Sequence, residues 1–166
     1  MGERAQSMEL SDVRHGLQQF FADCPDAVAA RFCMLLAEPA EALIARAQLT
    51  LSKPYGRNHI LSIDGGFGIS FACLGPGHAT SLHYHRKRRE FFYVHAGVLQ
   101  FTSGDAVRCI PAGGTGHSIP PVPHSLRNAG ENELRVLEMF SPPVLADKVR
   151  LSDRYDRTLG PVSLYQ

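Results

Sequence analysis

The chain has 166 residues, of which 44% are hydrophobic and 20% are charged, as in an ordinary globular protein with one domain. Its net charge of +1 gives no global attraction to nucleic acid or to a membrane surface, so we expect neither as a partner. The sequence shows no apolar signal segment, no apolar run of membrane-spanning length and no paired cysteine spacing, so we expect a cytoplasmic protein with reduced thiols.

The first 50 residues predict helices. Ser11 is a candidate N-cap, and Val13 and Leu17 recur at helical spacing. Pro25 and Pro39 stand where a second and a third helix would begin. We interpret this segment as a layer that covers one face of the domain or contacts a dimer partner, with a lid as the alternative.

From about residue 58 the pattern changes to short strands separated by Gly, Pro, Asn and Asp, which is typical of a sandwich or barrel such as a jelly roll. We divide the chain into a helical segment (1–50), a β-barrel (51–145) and a polar C-terminal tail (146–166) that packs back along the surface. The predicted strands are His59–Ile63, Phe67–Cys73, Ala79–His85, Glu90–His95, Val98–Thr102, Val107–Ile110, Gly116–Ile119, Ser125–Asn128 and Leu134–Phe140.

Three histidines and one carboxylate fall on these predicted strands. His83 and His85 are two residues apart, so both side chains point to the same face of an extended chain. Glu90 follows one short loop later, and His124 opens another strand after a proline-rich turn. Imidazole nitrogens together with a carboxylate oxygen are ligands for zinc, iron, manganese or nickel.

This arrangement resembles the cupin superfamily. Gly77 to Gly97 fits the first cupin motif at every specified position, whereas the second motif, Gly114-x5-Pro120-x3-His124-x3-Asn128, lacks the usual glycine and has a turn one residue short. The resemblance implies an all-β jelly-roll barrel and one divalent transition-metal ion, with iron expected first and zinc, manganese or nickel as alternatives. The implied metal ligands are His83, His85, Glu90 and His124.

A longer match, over about residues 52 to 158, resembles type II mannose-6-phosphate isomerases and their small relatives. Ser52-Lys53-Pro54-Tyr55-Gly56 is similar to their Lys-Pro-Trp-Gly segment. The segment from Ser81 to Glu90 is similar to their Ser-Leu-Gln-x-His-x-x-Arg-x-Glu, and Val149 to Arg157 resembles their closing Val-Arg-x-x-Asp-x-Tyr-Gly-Arg. One departure is His83, where the isomerases have Gln.

Four consecutive basic residues, Arg86 to Arg89, join the two predicted ligand strands. Such a run is usually a solvated face, but this one borders the site, and arginine binds carboxylate or phosphate in a bidentate manner. Arg88 also matches the isomerase motif, so we predict that it binds an anionic substrate. His78 and His117 are interpreted as surface histidines, with proton transfer as the alternative. The sequence does not fix which face Glu138 presents.

Three functions stay open. The first is a metalloenzyme for a small anionic metabolite, with dioxygenase-type chemistry slightly favoured because its ligand shell is common in cupin oxygenases. The second is a sugar or sugar-phosphate isomerase or epimerase, and the third is a non-catalytic cupin that binds a small ligand. We also expect a homodimer, since small cupins commonly pair through exposed strand edges.

Overall fold

The computed structural model describes residues 9–164. Within them, three helices precede twelve strands, and the strands form two six-stranded antiparallel sheets. The helices are α1 Leu10–Phe20, α2 Asp26–Leu36 and α3 Ala40–Ala45. The strands are β1 Leu49–Lys53, β2 Gly56–Asp64, β3 Phe67–Leu74, β4 Leu82–His85, β5 Arg89–Ala96, β6 Val98–Ser103, β7 Ala106–Pro111, β8 Thr115–Ser118, β9 His124–Asn128, β10 Leu134–Ser141, β11 Lys148–Ser152 and β12 Gly160–Pro161.

Sheet 1 has the strand order β1-β2-β3-β10-β5-β8, and sheet 2 has the order β12-β11-β4-β9-β6-β7. Their inner faces share one apolar cluster, to which sheet 1 contributes Leu74 and Phe92 and sheet 2 contributes Phe101 and Leu126. The predicted jelly-roll barrel with N-terminal helices is therefore confirmed, and all nine predicted strands are present within a few residues of their predicted bounds.

The helices cover the outer face of sheet 1. Val13, Leu17 and Phe32 are fully buried and belong to one cluster with Phe71 and Leu137 of that sheet. Apolar stripes at helical spacing are thus buried against a sheet, which stabilises both layers. The interpretation of these helices as a covering layer is confirmed.

The predicted helix starts are partly wrong. Helix α1 begins at Leu10, with Glu9 in the N-cap position and no side-chain cap, so Ser11 is not the cap. Pro25 and Pro39 do precede α2 and α3, each in the N-cap position. None of the helices in residues 9–164 combines the length and the apolar character needed to span a membrane.

Strand β3 is buried at every position because both faces of sheet 1 are covered. Its residues alternate: Ile69 and Phe71 pack against the helices, whereas Leu74 packs in the barrel. In this register Glu138 of β10 lies opposite Ser70, so its side chain faces the barrel interior. The sequence does not fix which face Glu138 presents, and the structure shows that it faces inward.

The sequence predicts no strand at β1, β11 or β12, and the structure differs there. Strand β11 lies between β12 and β4, with Val149 and Arg150 8% and 1% exposed, so this part of the tail belongs to sheet 2 instead of lying along the surface. Lys148 and Arg150 of β11 lie opposite His85 and His83 and so share their inward face, where a strand pattern normally has apolar residues. The three-part division of the chain stays a prediction.

Candidate metal centre

His83, His85 and His124 meet inside the barrel. On β4 the buried His83 and His85 alternate with half-buried residues, so both histidines face the barrel interior. The register places His83 directly opposite His124 of β9. The three side chains are at most 4% exposed, and one nitrogen from each ring lies within 4.8 Å of the others. The turn from Pro120 to His124 is one residue shorter than usual, but His124 still lies beside His83 and His85.

Backbone carbonyls orient two of the rings. Nδ1 of His83 donates to the Ser81 carbonyl at 2.8 Å, and Nδ1 of His124 donates to the Val122 carbonyl at 3.2 Å. These hydrogen bonds engage Nδ1 and leave Nε2 as the ring nitrogen that can bind a metal when it is unprotonated. Burial also lowers the pKa of His83 and of His85, which keeps these rings neutral at physiological pH.

Glu90 completes the cluster from β5. Its carboxylate oxygens lie 3.1 Å from Nε2 of His85 and 3.0 Å from Nε2 of His124, and one of them accepts a hydrogen bond from Ser118. Burial alone would raise the pKa of Glu90, but its interactions with neighbouring groups, among them the permanently charged Arg88, outweigh burial and hold this pKa well below its usual range. Glu90 is thus a carboxylate aimed at the imidazoles.

The donor set suits a divalent transition metal. Nε2 of His124 is buried and makes no aligned hydrogen bond to a residue in 9–164, although it lies near Glu90. A buried nitrogen lone pair without a partner is costly unless a ligand meets it. Three imidazoles and one carboxylate match the preferences of iron, manganese, zinc and nickel. The structure brings all four predicted ligands together, and their binding of a metal stays a prediction.

Gly97, the last residue of the first motif, shows why that motif has a glycine. Its φ is 87°, and a Cβ atom there would lie 3.0 Å from the Cα atom of Leu134. Both the backbone conformation and the close approach of β10 exclude a larger side chain.

Arg88 is the one member of the basic run that points inward. Its side chain is 11% exposed, its Nη2 atom donates to Glu90 at 2.5 Å and lies 3.2 Å from Nε2 of His85, and its guanidinium stacks on Phe140. Arg86 and Lys87 are exposed. Asp147 fixes the loop by accepting hydrogen bonds from the backbone of Lys87 and Arg88. The inward position supports Arg88 as a substrate contact, which stays a prediction.

Three of the four predicted ligands, His83, Glu90 and His124, line a cavity inside the barrel, here called the metal cavity. Other ionisable side chains share it. Burial raises the pKa of Glu138 to about 7, with a further contribution from Glu90, and burial lowers the pKa of Lys148 to about 7, with a further contribution from Arg88. The remaining polar lining residues are Tyr55, Asn58 and Thr80.

Lys148 and Tyr55 were missed by the sequence analysis as site residues. Lys148 lies on a strand that was not predicted, directly opposite His85, and residues opposite each other in an antiparallel pair share a face. Had β11 been recognised, this register would have identified it. Tyr55 had a signal, since it belongs to the isomerase-like Ser52–Gly56 segment.

His78 and His117 are not part of the cluster. His78 is exposed and stacks on Tyr155, whose hydroxyl lies 3.0 Å from its Nδ1 atom. His117 is exposed on β8 and packs against Phe20 of α1. Their interpretation as surface histidines fits these positions.

Comparison with known proteins agrees with this geometry. Residues 70–140 match the family model described as the Cupin domain. Over 108 residues (64% of this chain and 23% of the relative), the chain is 30% identical to the xanthan biosynthesis protein XanB of Xanthomonas campestris. Over 116 residues (69% and 24%) it is 28% identical to the alginate biosynthesis protein AlgA of Pseudomonas putida. A mannose-1-phosphate guanylyltransferase of Klebsiella pneumoniae is 29% identical over 107 residues (63% and 23%). The chain thus spans about a quarter of the length of these relatives.

Solved structures show the same fold at lower identity. A mutant of the Bacillus subtilis oxalate decarboxylase OxdC superposes with a TM-score of 0.56 at 22% identity, over 63% of this chain and 30% of that chain. KdgF from Halomonas sp. gives a TM-score of 0.51 at 15% identity, over 55% and 84%. The family match, the inner histidine cluster and the two-sheet barrel therefore agree in identifying residues 70–140 as a cupin domain.

Proposed function

We propose that this chain is a metal-dependent cupin enzyme that interconverts isomers of a small anionic sugar. The observation that carries the proposal is the convergence of three imidazoles and one carboxylate beside a cavity that also holds Glu138 and Lys148. A divalent ion bound by His83, His85, Glu90 and His124 would act there as a Lewis acid toward substrate oxygens.

An isomerase of this kind must move a proton between neighbouring substrate atoms, and the cavity offers groups for both directions. Glu138 accepts a hydrogen bond from Ser70 at 3.2 Å, which orients one carboxylate oxygen. With a pKa of about 7, Glu138 can accept and return a proton near neutrality, and Lys148 can donate one. We assign proton transfer to Glu138 and assistance at a substrate oxygen to Lys148.

Arg88 would contact the negatively charged oxygens of the substrate. Its Nε atom is buried and has no hydrogen-bond partner in residues 9–164, so one donor of its guanidinium is available. The apolar side chains of Phe92, Phe101 and Leu126 belong to the barrel core, and Leu126 also lines the metal cavity. The sequence relatives support a sugar substrate, since two of them are named for polysaccharide biosynthesis and one for mannose 1-phosphate.

The test is proton exchange at carbon. The metal-loaded protein is incubated in D₂O with aldose and ketose phosphates, and NMR monitors both isomer formation and deuterium incorporation next to the carbonyl. We expect exchange with at least one sugar phosphate, and its loss in Glu138→Gln but not in the exposed control His15→Ala. The absence of exchange and of isomer formation across pentose and hexose phosphates would contradict the proposal.

Dioxygenase chemistry is the second candidate, and one residue favours it. His83 stands where the resembling isomerases have Gln, which gives this chain the three-histidine shell. The discriminating measurement is oxygen consumption by iron-loaded protein with the same substrates. Oxygen uptake coupled to substrate loss would favour the dioxygenase over the isomerase.

A further inference from the structure

Two motifs from opposite ends of the chain meet at one pocket outside the metal cavity. One is the Ser52–Gly56 segment at the end of β1, and the other is the Val149–Arg157 segment, which begins in β11. Neither contributes a predicted metal ligand. The pocket between them, called the outer pocket, is lined by Ser52, Lys53, Pro54, Arg150, Asp156, Arg157 and Thr158.

The outer pocket concentrates positive charge. Burial lowers the pKa of Lys53, and the nearby Arg157 and Arg150 lower it further, which shows that the three cations repel one another. Asp153 offsets one of them, because it accepts hydrogen bonds from Nε and Nη2 of Arg157 at 2.9 and 2.6 Å. The other acidic residue is Asp156, which is exposed. An excess of positive charge in a partly buried pocket favours an anion.

Arg150 supplies an independent observation. Its side chain is among the largest fully buried ones, at 1% exposure, and Nη1 donates to the Thr158 carbonyl at 2.7 Å. Its Nε and Nη2 atoms have no hydrogen-bond partner among residues 9–164. A buried guanidinium with two unpaired donors is costly, and an oxyanion presents the acceptor pair that fits its planar fork.

The outer pocket lies next to a second pocket, which in turn shares residues with the metal cavity. Lys53 also lines a neighbouring pocket whose walls include Tyr55, Arg88 and Lys148, and these three residues line the metal cavity as well. The carbonyl of Leu164, which accepts a hydrogen bond from Lys53 at 2.7 Å, lies at the same pocket. A ligand group in the outer pocket therefore lies next to a pocket that shares Tyr55, Arg88 and Lys148 with the metal cavity.

We propose that the outer pocket is a phosphate subsite, in which Lys53, Arg150 and Arg157 bind the phosphate group of a small phosphorylated metabolite. A phosphate presents more acceptor oxygens than a single carboxylate, so one group can satisfy the open donors of Arg150 and also contact Lys53 and Arg157. The subsite uses no metal ligand, so it exists whether or not the proposed isomerase activity does. Where that activity holds, the subsite assigns the substrate to the phosphorylated sugars.

The test measures binding of inorganic phosphate by isothermal titration calorimetry and by ³¹P NMR. The proteins are the wild type, Lys53→Met, Arg150→Met and the control Arg154→Met. Arg154 lies in the same motif but is exposed and does not line the outer pocket. We expect phosphate to bind the wild type and Arg154→Met equally, and to bind Lys53→Met and Arg150→Met about tenfold or more weakly, because each variant loses a charge-assisted contact. Circular dichroism establishes that each variant is folded, and Lys53→Met suffices if Arg150→Met does not fold.

Two further proteins separate this subsite from the metal centre. If phosphate binds in the outer pocket, the chelator-treated wild type and Arg88→Met keep their phosphate affinity. Phosphate affinity that depends on the metal and on Arg88, but not on Lys53 or Arg150, overturns the subsite and leaves the proposed function standing. An absence of phosphate binding to the wild type at millimolar concentration also overturns it.

Discussion

Arg88 shows how one position in a charged run differs from its neighbours. Arg86 and Lys87 are exposed, whereas Arg88 lies against Glu90, His85 and Phe140. We predict that Arg88→Ala raises KM strongly and leaves the bound metal unchanged, because the variant removes a substrate contact and no metal ligand. The exposed Arg86→Ala is the matched control. Loss of metal from Arg88→Ala, or an unchanged KM, would show that Arg88 only supports Glu90.

Glu138 determines the expected pH dependence. Burial raises its pKa to about 7, so its base form, which accepts the proton, is lost as the pH falls through that value. Activity should therefore decrease on the acid side of neutrality, and a bound divalent cation would shift this limb to lower pH. Glu138→Gln should lose most activity while keeping its metal. A Glu138→Gln variant with the wild-type rate and the wild-type acid limb would remove Glu138 from the mechanism.

The Val149–Arg157 segment has a structural role that its resemblance to the isomerases does not reveal. Asp153 is 1% exposed at its side chain and accepts hydrogen bonds from the backbone of Tyr155 and from the backbone and side chain of Arg157. Tyr155 in turn contacts His78 and the backbone of Ala79, just before β4. These contacts hold the C-terminal segment against the residues that lead into β4, the strand with His83 and His85.

Asp153 also makes stability depend on pH. The hydrogen bonds that it accepts from Arg157 hold its pKa at about 2, below the ordinary value of 3.8. A depressed carboxyl pKa stabilises the folded state above the unfolded-state pKa, and this contribution disappears as the pH falls toward 2. We predict that Asp153→Asn costs about 2 kcal/mol and lowers Tm by about 4–8 °C at pH 7, with the difference from wild type vanishing in acid. Thermal unfolding at several pH values measures this, with the exposed Asp105→Asn as control. A Tm difference that is the same at all pH values would disprove it.

The sequence predicts the elements with strong patterns and misses those without. Strands such as β3 and β10 are rich in apolar residues, and turn residues bound them, so their existence follows from the sequence. Strand β11 alternates basic and apolar residues, and a buried Arg150 is not a strand signal. The four ligand candidates were accessible because their spacing is a motif. Lys148 was not, since its place in the cavity depends on the pairing of β11 with β4.

An exposed edge strand of sheet 2 is the basis for the expected homodimer. Sheet 2 ends at β7, whose residues are exposed at five of six positions and include Val107 at 57% exposure. An exposed edge of this kind is a template for pairing with a second chain. We predict a homodimer, and a smaller mass for Val107→Lys, since edge lysines oppose pairing. Light scattering at micromolar concentration decides this, and a monomeric wild type would contradict it.

We predict that His83, His85, Glu90 and His124 hold one transition-metal ion per chain. The most direct test is elemental analysis by inductively coupled plasma mass spectrometry of protein purified without added metal, alongside His83→Ala, His85→Ala and the exposed control His15→Ala. We predict a stoichiometric ion in the wild type and in His15→Ala, and loss of most of it from the other two variants, which stay folded because the apolar core does not depend on the ion. Full metal content in both His83→Ala and His85→Ala, or none in the wild type even after incubation with iron, manganese, zinc or nickel, would contradict the account.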